Sequence, residues 1–388
     1  MSKALINNEI LAWAVARAGV QPEALAKKLN VKLASVDAWL DGDDRPTFIQ
    51  AQKAAAALGI PFGYLYLRQP PEDSLPIPDF RTVAGERSKL DVNTRSLLSD
   101  VLYKRDWFRD HREQNGFDPL LFIGSHTIKD DPVELATSIR NRIQGSERHI
   151  QAHNYEDYLR LLMSGAEEIG IWVMRTGIVG NNTHRPLDVS DFRGLAIADK
   201  VTPIILINGQ DSTSAQIFTF AHELAHLWLG ESGVSNVHIG NSDFGTRNRV
   251  EQFCNKVAAE FLIPEVSFKR SWRTDRDLMS QVDDLASKYR VSRIVVARRA
   301  RDLRFIDEET YSTFYAIEAK RWRDAALRKR QAGGGGDFFK TLPVRNGKSF
   351  TKAVVREAIR GGMLLRDAAS LLGVQPGKIR ELYDRIEA

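Results

Sequence analysis

A short motif between positions 222 and 226 carries residues whose types and spacing could do chemistry. His222 and His226 lie four positions apart, and Glu223 directly follows the first of them. In a helix, residues four apart lie one turn apart on the same face, so the two imidazoles can bind one metal ion. A carboxylate beside the first ligand is placed to take a proton from a water molecule that the metal activates. The motif therefore predicts the chemistry of zinc-dependent peptide hydrolysis.

The segment around the motif, FTFAHELAHLWLG from Phe218 to Gly230, is apolar nearly all round. Such a composition predicts a buried helix. Imidazoles and a carboxylate are costly to bury without partners, and a metal ion supplies one. The alternative interpretation is that hydrogen bonds within the core satisfy the two histidines.

A catalytic zinc ion needs a third protein ligand and one open position. The segment VEQFCNKVAAEFLIP, from Val250 to Pro264, predicts a second buried helix that ends before its proline, and it offers two acidic residues. Glu251 and Glu260 are nine positions apart, so they point to opposite sides of a helix and cannot both reach one metal. Composition alone does not choose between them.

The region from Phe192 to Pro264 resembles the ImmA/IrrE family of metallopeptidases. The resemblance rests on PIILIN before a serine-rich turn, then FTFAHELAHLWLG, then EQFCNKVAAEFLIP. Cys254 and Val257 differ from the usual residues of that family, but both are apolar exchanges on a packed face and leave the ligands unchanged.

The resemblance implies a zinc metalloendopeptidase with an HExxH motif plus Glu, a gluzincin-like arrangement. It implies Glu251 as the third Zn²⁺ ligand beside His222 and His226, and Glu223 as the catalytic general base. It also implies a protein substrate, such as a repressor or another regulatory protein. Long members of the family often accompany a toxin-like partner protein, which places the chain in the context of toxin–antitoxin systems and transcription regulation.

Length and composition indicate a globular protein of several domains. The chain has 388 residues, of which 43% are hydrophobic and 27% charged. No apolar run reaches the length of a membrane span, and the N-terminus lacks a signal-peptide pattern. Cys254 is the only cysteine, which excludes an internal disulfide and fits a reducing compartment. Its thiol is expected to pack in the core, the alternative being redox tuning of the metal. We therefore expect a cytoplasmic protein with no membrane partner.

The first 68 residues predict a bundle of short helices. Apolar spacing indicates helices over Asn7–Ala18, from Pro22, over Leu33–Leu40 and over Thr47–Leu58. The pattern resembles an Xre/Cro-type helix-turn-helix domain, which would make the chain a DNA-binding protein.

In a domain of that type the third helix enters the major groove. Lys32, Ser35 and Asp37 would then face base edges, while Lys27 and Lys28 would meet phosphates. Aspartates near the end of the same helix would repel phosphate, and they leave open the alternative that the unit serves dimerisation or protein contact. These aspartates are Asp37, Asp41, Asp43 and Asp44.

We expect an α+β fold that is mostly helical, with a zincin-like metallopeptidase core and a small twisted sheet against the HExxH helix. The predicted strands are Ile171–Arg175, Phe192–Asp199 and Thr202–Asn208. Our hypothesis is that Phe192–Asp199 is an edge strand that holds an extended substrate. Asn255, one turn after Glu251, is a candidate to hydrogen-bond a ligand, and His184 and His238 are candidates to stabilise an oxyanion.

The C-terminal end predicts a small basic helical unit. From Arg321 to Ala388 there are 15 Lys and Arg residues against 7 Asp and Glu. Its last helices resemble a second helix-turn-helix, so an anionic partner, nucleic acid or an acidic protein, suits this end. The predicted domains are 1–68 (helix-turn-helix), 69–91 (linker), 92–330 (metallopeptidase with flanking helices) and 331–388 (basic helical domain).

Two hypotheses of function follow. The first is a zinc-dependent endopeptidase fused to a helix-turn-helix regulator. The second is a DNA-binding regulator or antitoxin-like binding protein whose zinc site is structural or idle. DNA contact through either helix-turn-helix and a homodimer are compatible with both hypotheses.

Overall fold

The centre of the molecule is a small mixed sheet with both faces covered. The computed structural model describes residues 3–71, 91–143, 152–235, 249–329 and 337–387. Within them, a four-stranded sheet has the order β1-β5-β4-β6. These strands are β1 Trp172–Thr176, β4 Gly194–Ile197, β5 Ile204–Asn208 and β6 Gly233–Ser235, while β2 Ile178–Val179 and β3 Asn182–Pro186 form a separate hairpin.

The middle strand, β5, is parallel to β1 and antiparallel to β4. Because side chains alternate along a strand, Ile205 and Ile207 join one hydrophobic core, while Ile204 and Leu206 join a second core on the opposite face. An apolar residue at nearly every position is what a strand buried on both faces requires.

The helices of the described residues run through the whole chain. They are α1 Asn8–Ala18, α2 Pro22–Leu29, α3 Leu33–Asp41, α4 Phe48–Leu58, α5 Val92–Gln114, α6 Pro132–Ile143, α7 Tyr155–Glu168, α8 Thr213–Leu229, α9 Arg249–Leu262, α10 Glu265–Ser271, α11 Leu278–Tyr289, α12 Arg293–Asp302, α13 Glu308–Lys329, α14 Phe338–Asn346, α15 Lys348–Arg360, α16 Leu365–Leu372 and α17 Lys378–Glu387, with a short 3₁₀ helix at Phe62–Tyr66. The predicted mostly helical α+β class is confirmed. None of the helices in these described ranges combines the length and apolarity needed to cross a membrane.

The hypothesis that Phe192–Asp199 is an edge strand is wrong. The part of this segment that forms a strand, β4, pairs with β5 on one side and with β6 on the other, where Leu195 lies opposite Val234. The backbone groups of β4 are therefore already used within the sheet and are not free to bind an extended peptide. The pairing was missed because β6 has only three residues and lies far along the chain from its partner.

The N-terminal helices α1 to α4 form a bundle with its own core, built on residues such as Ile10, Leu25 and Val36. A tight turn joins α2 to α3, and Asn30 in it adopts a left-handed conformation with φ of 54°. The helices predicted at this end are thus present within a residue or two of their expected limits. The assignment as a DNA-binding domain stays a prediction, and most of the predicted 69–91 linker lies outside the described residues.

The C-terminal helices α14 to α17 pack on the sheet face opposite α8. Trp172 of β1, Phe108 of α5 and Phe350 of α15 form an aromatic cluster, with the rings of Trp172 and Phe350 stacked at 4.7 Å between centroids. This end of the chain therefore shares a hydrophobic core with the sheet and α5. The exact domain boundaries remain predictions.

Candidate metal centre

Helix α8 places the two histidines in the interior of the protein. It begins after Ser212, whose side chain accepts a hydrogen bond from the backbone N–H of Ala215, and it ends at Gly230, which has φ of 75°. Between those ends nearly every side chain is buried, and His222 and His226 are 0% and 1% exposed. The helix is thus a central core element that carries polar groups one turn apart.

Helix α9 brings Glu251 against both histidines. The carboxylate oxygens of Glu251 lie 3.1 Å from Nε2 of His222 and 3.1 Å from Nε2 of His226. The two Nε2 atoms are themselves 3.0 Å apart. Three potential metal ligands therefore converge on one point, all buried and all within 4.8 Å of one another.

The donor set at this point fits a cation. Nδ1 of His222 lies 3.1 Å from Oδ1 of Asn255, an acceptor, so the imidazole carries its proton on Nδ1 and turns the lone pair of Nε2 inward. That lone pair faces a carboxylate oxygen and a second imidazole nitrogen. Three electron-rich atoms at this separation are stabilised by a positive ion between them, and His-His-Glu is a ligand set that catalytic zinc uses. Residues 222, 226 and 251 would hold it.

The charge state of Glu251 agrees with this arrangement. Burial alone would raise the pKa of the Glu251 carboxyl, but the imidazoles of His222 and His226, when protonated, more than offset burial and hold that pKa well below its usual range. A bound cation would take the place of those protons. Glu251 is therefore an anion, as a metal ligand must be.

Glu223 lies beside the cluster and faces the sheet. Its side chain is fully buried, and the hydroxyl of Ser235 on β6 donates a hydrogen bond to its Oε1 atom. Burial raises the pKa of Glu223 to about 8, while His226 and the hydrogen bond from Ser235 oppose that rise. A raised pKa brings the uptake and release of a proton by this carboxyl group closer to neutral pH, as general acid and base work requires.

Glu260, the acidic residue that composition left as an alternative, lies elsewhere. Its carboxylate pairs with the guanidinium of Arg299 on α12 and accepts the backbone N–H of Glu265. It is bound in this buried ion pair and takes no part in the cluster. Glu251 and Glu260 thus face different sides of α9, as their spacing predicts.

The remaining candidates are separate from the cluster or outside the described residues. His184 is exposed on β3, and its backbone N–H donates to Asn182. His238 lies outside the described residues. Cys254 is buried in the core, and burial raises the pKa of its thiol, so it packs as a neutral apolar group.

Two residues that sequence reasoning did not single out contact Glu223. One is Ser235. The other is Gly194 on β4, where an added Cβ would lie 2.3 Å from Oε1 of Glu223 and 2.6 Å from Cγ2 of Thr219. Only glycine at position 194 leaves room for the side chains of Glu223 and Thr219. No sequence motif predicts this requirement.

A cavity of about 760 Å³ lies along α9 and is bordered by Phe218 and Asn255. Phe218 lies one turn before His222 on α8, and Asn255 contacts that histidine directly. The cavity therefore reaches the residues that surround the cluster.

A buried helix that presents two histidines one turn apart, with a carboxylate from a second helix and a glutamate beside the first histidine, defines the metallopeptidase class of protein. Residues 166–301 match the family model described as the IrrE N-terminal-like domain, Peptidase_M78. Over that range the chain is similar to the ImmA/IrrE family, which supports the resemblance predicted from its motifs.

A second family model, described as a domain of unknown function, DUF8813, matches residues 346–385. These residues span α15 and α16 and most of α17. The N-terminal bundle is not covered by either match. A comparison of the chain with curated proteins gave no match.

Proposed function

We propose that this protein is a zinc-dependent endopeptidase that cuts a specific regulatory protein, such as a repressor. The observation that supports the proposal is the convergence of the Nε2 atoms of His222 and His226 and the carboxylate of Glu251 on one buried point. The match of residues 166–301 to a peptidase family, which is a comparison of sequences, also supports the proposal.

When bound, zinc would polarise the scissile carbonyl and make a water molecule more acidic. The chain's own residues do the rest. Asn255 accepts from Nδ1 of His222 and so orients that imidazole. Glu223 is adjacent to His222 on the same helix, where it takes the proton of the attacking water and then delivers it to the leaving amine.

The N-terminal bundle supports a regulatory role for the same chain. Lys27, Lys28 and Lys32 are exposed on α2 and at the start of α3, and Ser35 is half-buried on α3. We propose that this surface, or the basic C-terminal helices, binds DNA or the protein substrate. We also propose that the protein binds a toxin-like partner, forms a homodimer and is located in the cytoplasm.

Glu223→Gln is the variant that tests the proposed reaction, because an amide cannot act as a base. We expect this variant to bind zinc like the wild type and to lose cleavage by a factor of at least about 10². The assay loads both proteins with zinc and incubates each with the proteins encoded by neighbouring genes. Glu231→Gln, an exposed glutamate just after the same helix, is the matched control and should cleave normally.

Cleavage by Glu223→Gln at the wild-type rate would exclude the proposed mechanism. A zinc-loaded wild-type protein that binds one of these proteins without cutting it would favour the alternative, a regulatory or antitoxin-like binding protein with an idle zinc site.

A further inference from the structure

The position of Ser235 is determined by the sheet. Strand β6 is antiparallel to β4, and its register places Ser235 opposite Gly194. Because Gly194 has no side chain, the space above it is filled by the carboxyl group of Glu223. Ser235 is 2% exposed, so its hydroxyl must find its partners within the protein.

The hydroxyl of Ser235 has one strong partner. It donates to Oε1 of Glu223, and the carbonyl oxygen of Gly194 lies farther away, at 3.4 Å from Oγ. The second oxygen of Glu223, Oε2, has no hydrogen-bond partner among the described residues although it is buried. The two oxygens of this carboxyl group are thus in different environments.

From this asymmetry we infer that Ser235 is the positioning residue for Glu223: it binds Oε1 and leaves Oε2 as the oxygen that exchanges protons with water and the leaving amine. This inference rests on the proposed peptidase function. A hydroxyl suits the task because Oε1 can accept its hydrogen both when Glu223 is a carboxylate and when Oε2 carries a proton. The contact therefore persists through the proton transfer.

Ser235→Ala removes the hydroxyl and leaves the rest of the site in place. We expect kcat for cleavage to fall about tenfold, with KM within about twofold of wild type and zinc content unchanged, because only the orientation of the base is lost. Ser235→Thr keeps a hydroxyl and should recover most of kcat. Crystal structures of the same variants give a readout that does not depend on turnover: Glu223 should change rotamer in Ser235→Ala and keep it in Ser235→Thr.

The matched control is Ser232→Ala. Ser232 lies just before β6, and its Oγ accepts the backbone N–H of Ala198 at 2.8 Å, without contact to Glu223. This variant removes a comparable hydrogen bond near the same strand and should leave kcat unchanged. Equal losses of kcat and of thermal stability in Ser235→Ala and Ser232→Ala would overturn the inference. The loss would then come from a weakened strand β6 and not from a displaced Glu223.

Wild-type kcat in Ser235→Ala, or an unmoved Glu223 in its crystal structure, would also overturn the inference. These outcomes differ from failure of the proposed function, in which the zinc-loaded wild type cuts none of the candidate proteins. In that case the rotamer of Glu223 still decides whether Ser235 positions it.

Discussion

The candidate site depends on which individual atoms carry protons. His222 can offer a lone pair at Nε2 only if its proton is on Nδ1, and the 3.1 Å contact from Nδ1 to Oδ1 of Asn255 selects that tautomer. Glu251 then completes the ligand set as an anion. A residue outside the proposed ligand set thus orients one member of that set.

Asn255→Ala should weaken zinc binding by about 10- to 100-fold, because His222 loses the partner that orients its ring. The affinity can be measured by competition with a chromophoric chelator. Gln252→Ala is the matched control, since Gln252 lies on the same helix and borders the same cavity. Equal zinc affinities for the two variants would contradict this role of Asn255.

Among the secondary-structure elements, the close approach of α8 to β4 determines where Glu223 lies. The approach is possible because Gly194 occupies the strand position that faces Glu223 and Thr219. The short strand β6 then covers β4 and supplies Ser235. Glu223, the proposed general base, is therefore held by the sheet as well as by its own helix.

Gly194→Ala should lower cleavage by at least about tenfold while zinc still binds, because the new methyl group would overlap with Oε1 of Glu223 and displace it. Kinetics and zinc content of the purified variant test this. Gly377→Ala, where an added Cβ meets nothing within 4 Å, is the control. Cleavage at the wild-type rate by both alanine variants would show that Gly194 does not determine the position of Glu223.

The sequence predicted elements with strong periodicity better than it predicted contacts between distant segments. The spacing of His222 and His226 was enough to place them on one face of α8, and the apolar run of β5 was enough to predict a buried strand. The choice of Glu251 over Glu260 needed the family resemblance, because both lie on one helix and only tertiary packing separates them.

The contributions of Ser235 and Gly194 were not predicted, for a physical reason. The contribution of Ser235 depends on the pairing of β6 with β4, which joins residues about 40 positions apart through a strand of three residues, and that of Gly194 depends on the packing of α8 against β4. A segment that short has no readable periodicity. Because β6 was not predicted, β4 was expected to be an edge strand.

At the scale of the whole molecule, a buried asparagine adds hydrogen bonds between the C-terminal helices, α5 and the sheet to the hydrophobic core that these elements share. The side chain of Asn346 accepts from Nζ of Lys104 at 2.9 Å and donates to the carbonyl oxygen of Leu372 at 3.3 Å. Its backbone carbonyl accepts from Nε1 of Trp172. Next to it, Gly347 has φ of 82°, and an added Cβ would lie 2.3 Å from the Trp172 ring.

Asn346→Ala should lower the free energy of unfolding by about 1–3 kcal/mol, because it leaves the buried ammonium of Lys104 and the carbonyl of Leu372 without this partner. Denaturant titration measures the change, and limited proteolysis should show faster cutting within residues 337–387. Asn182→Ala, on the exposed strand β3, should change stability little. Similar losses in both variants would show that Asn346 does not fasten the two parts.

The most direct test of the whole account is the zinc stoichiometry of the wild type beside Glu251→Gln and Glu260→Gln. We predict one tightly bound zinc ion per chain in the wild type and its loss in Glu251→Gln, because a neutral amide replaces an anionic ligand. Glu260→Gln should keep the zinc ion but unfold more easily, since it breaks the buried pair with Arg299. A wild-type chain that binds no zinc, or a Glu251→Gln variant that binds it as tightly as the wild type, would contradict the central claim.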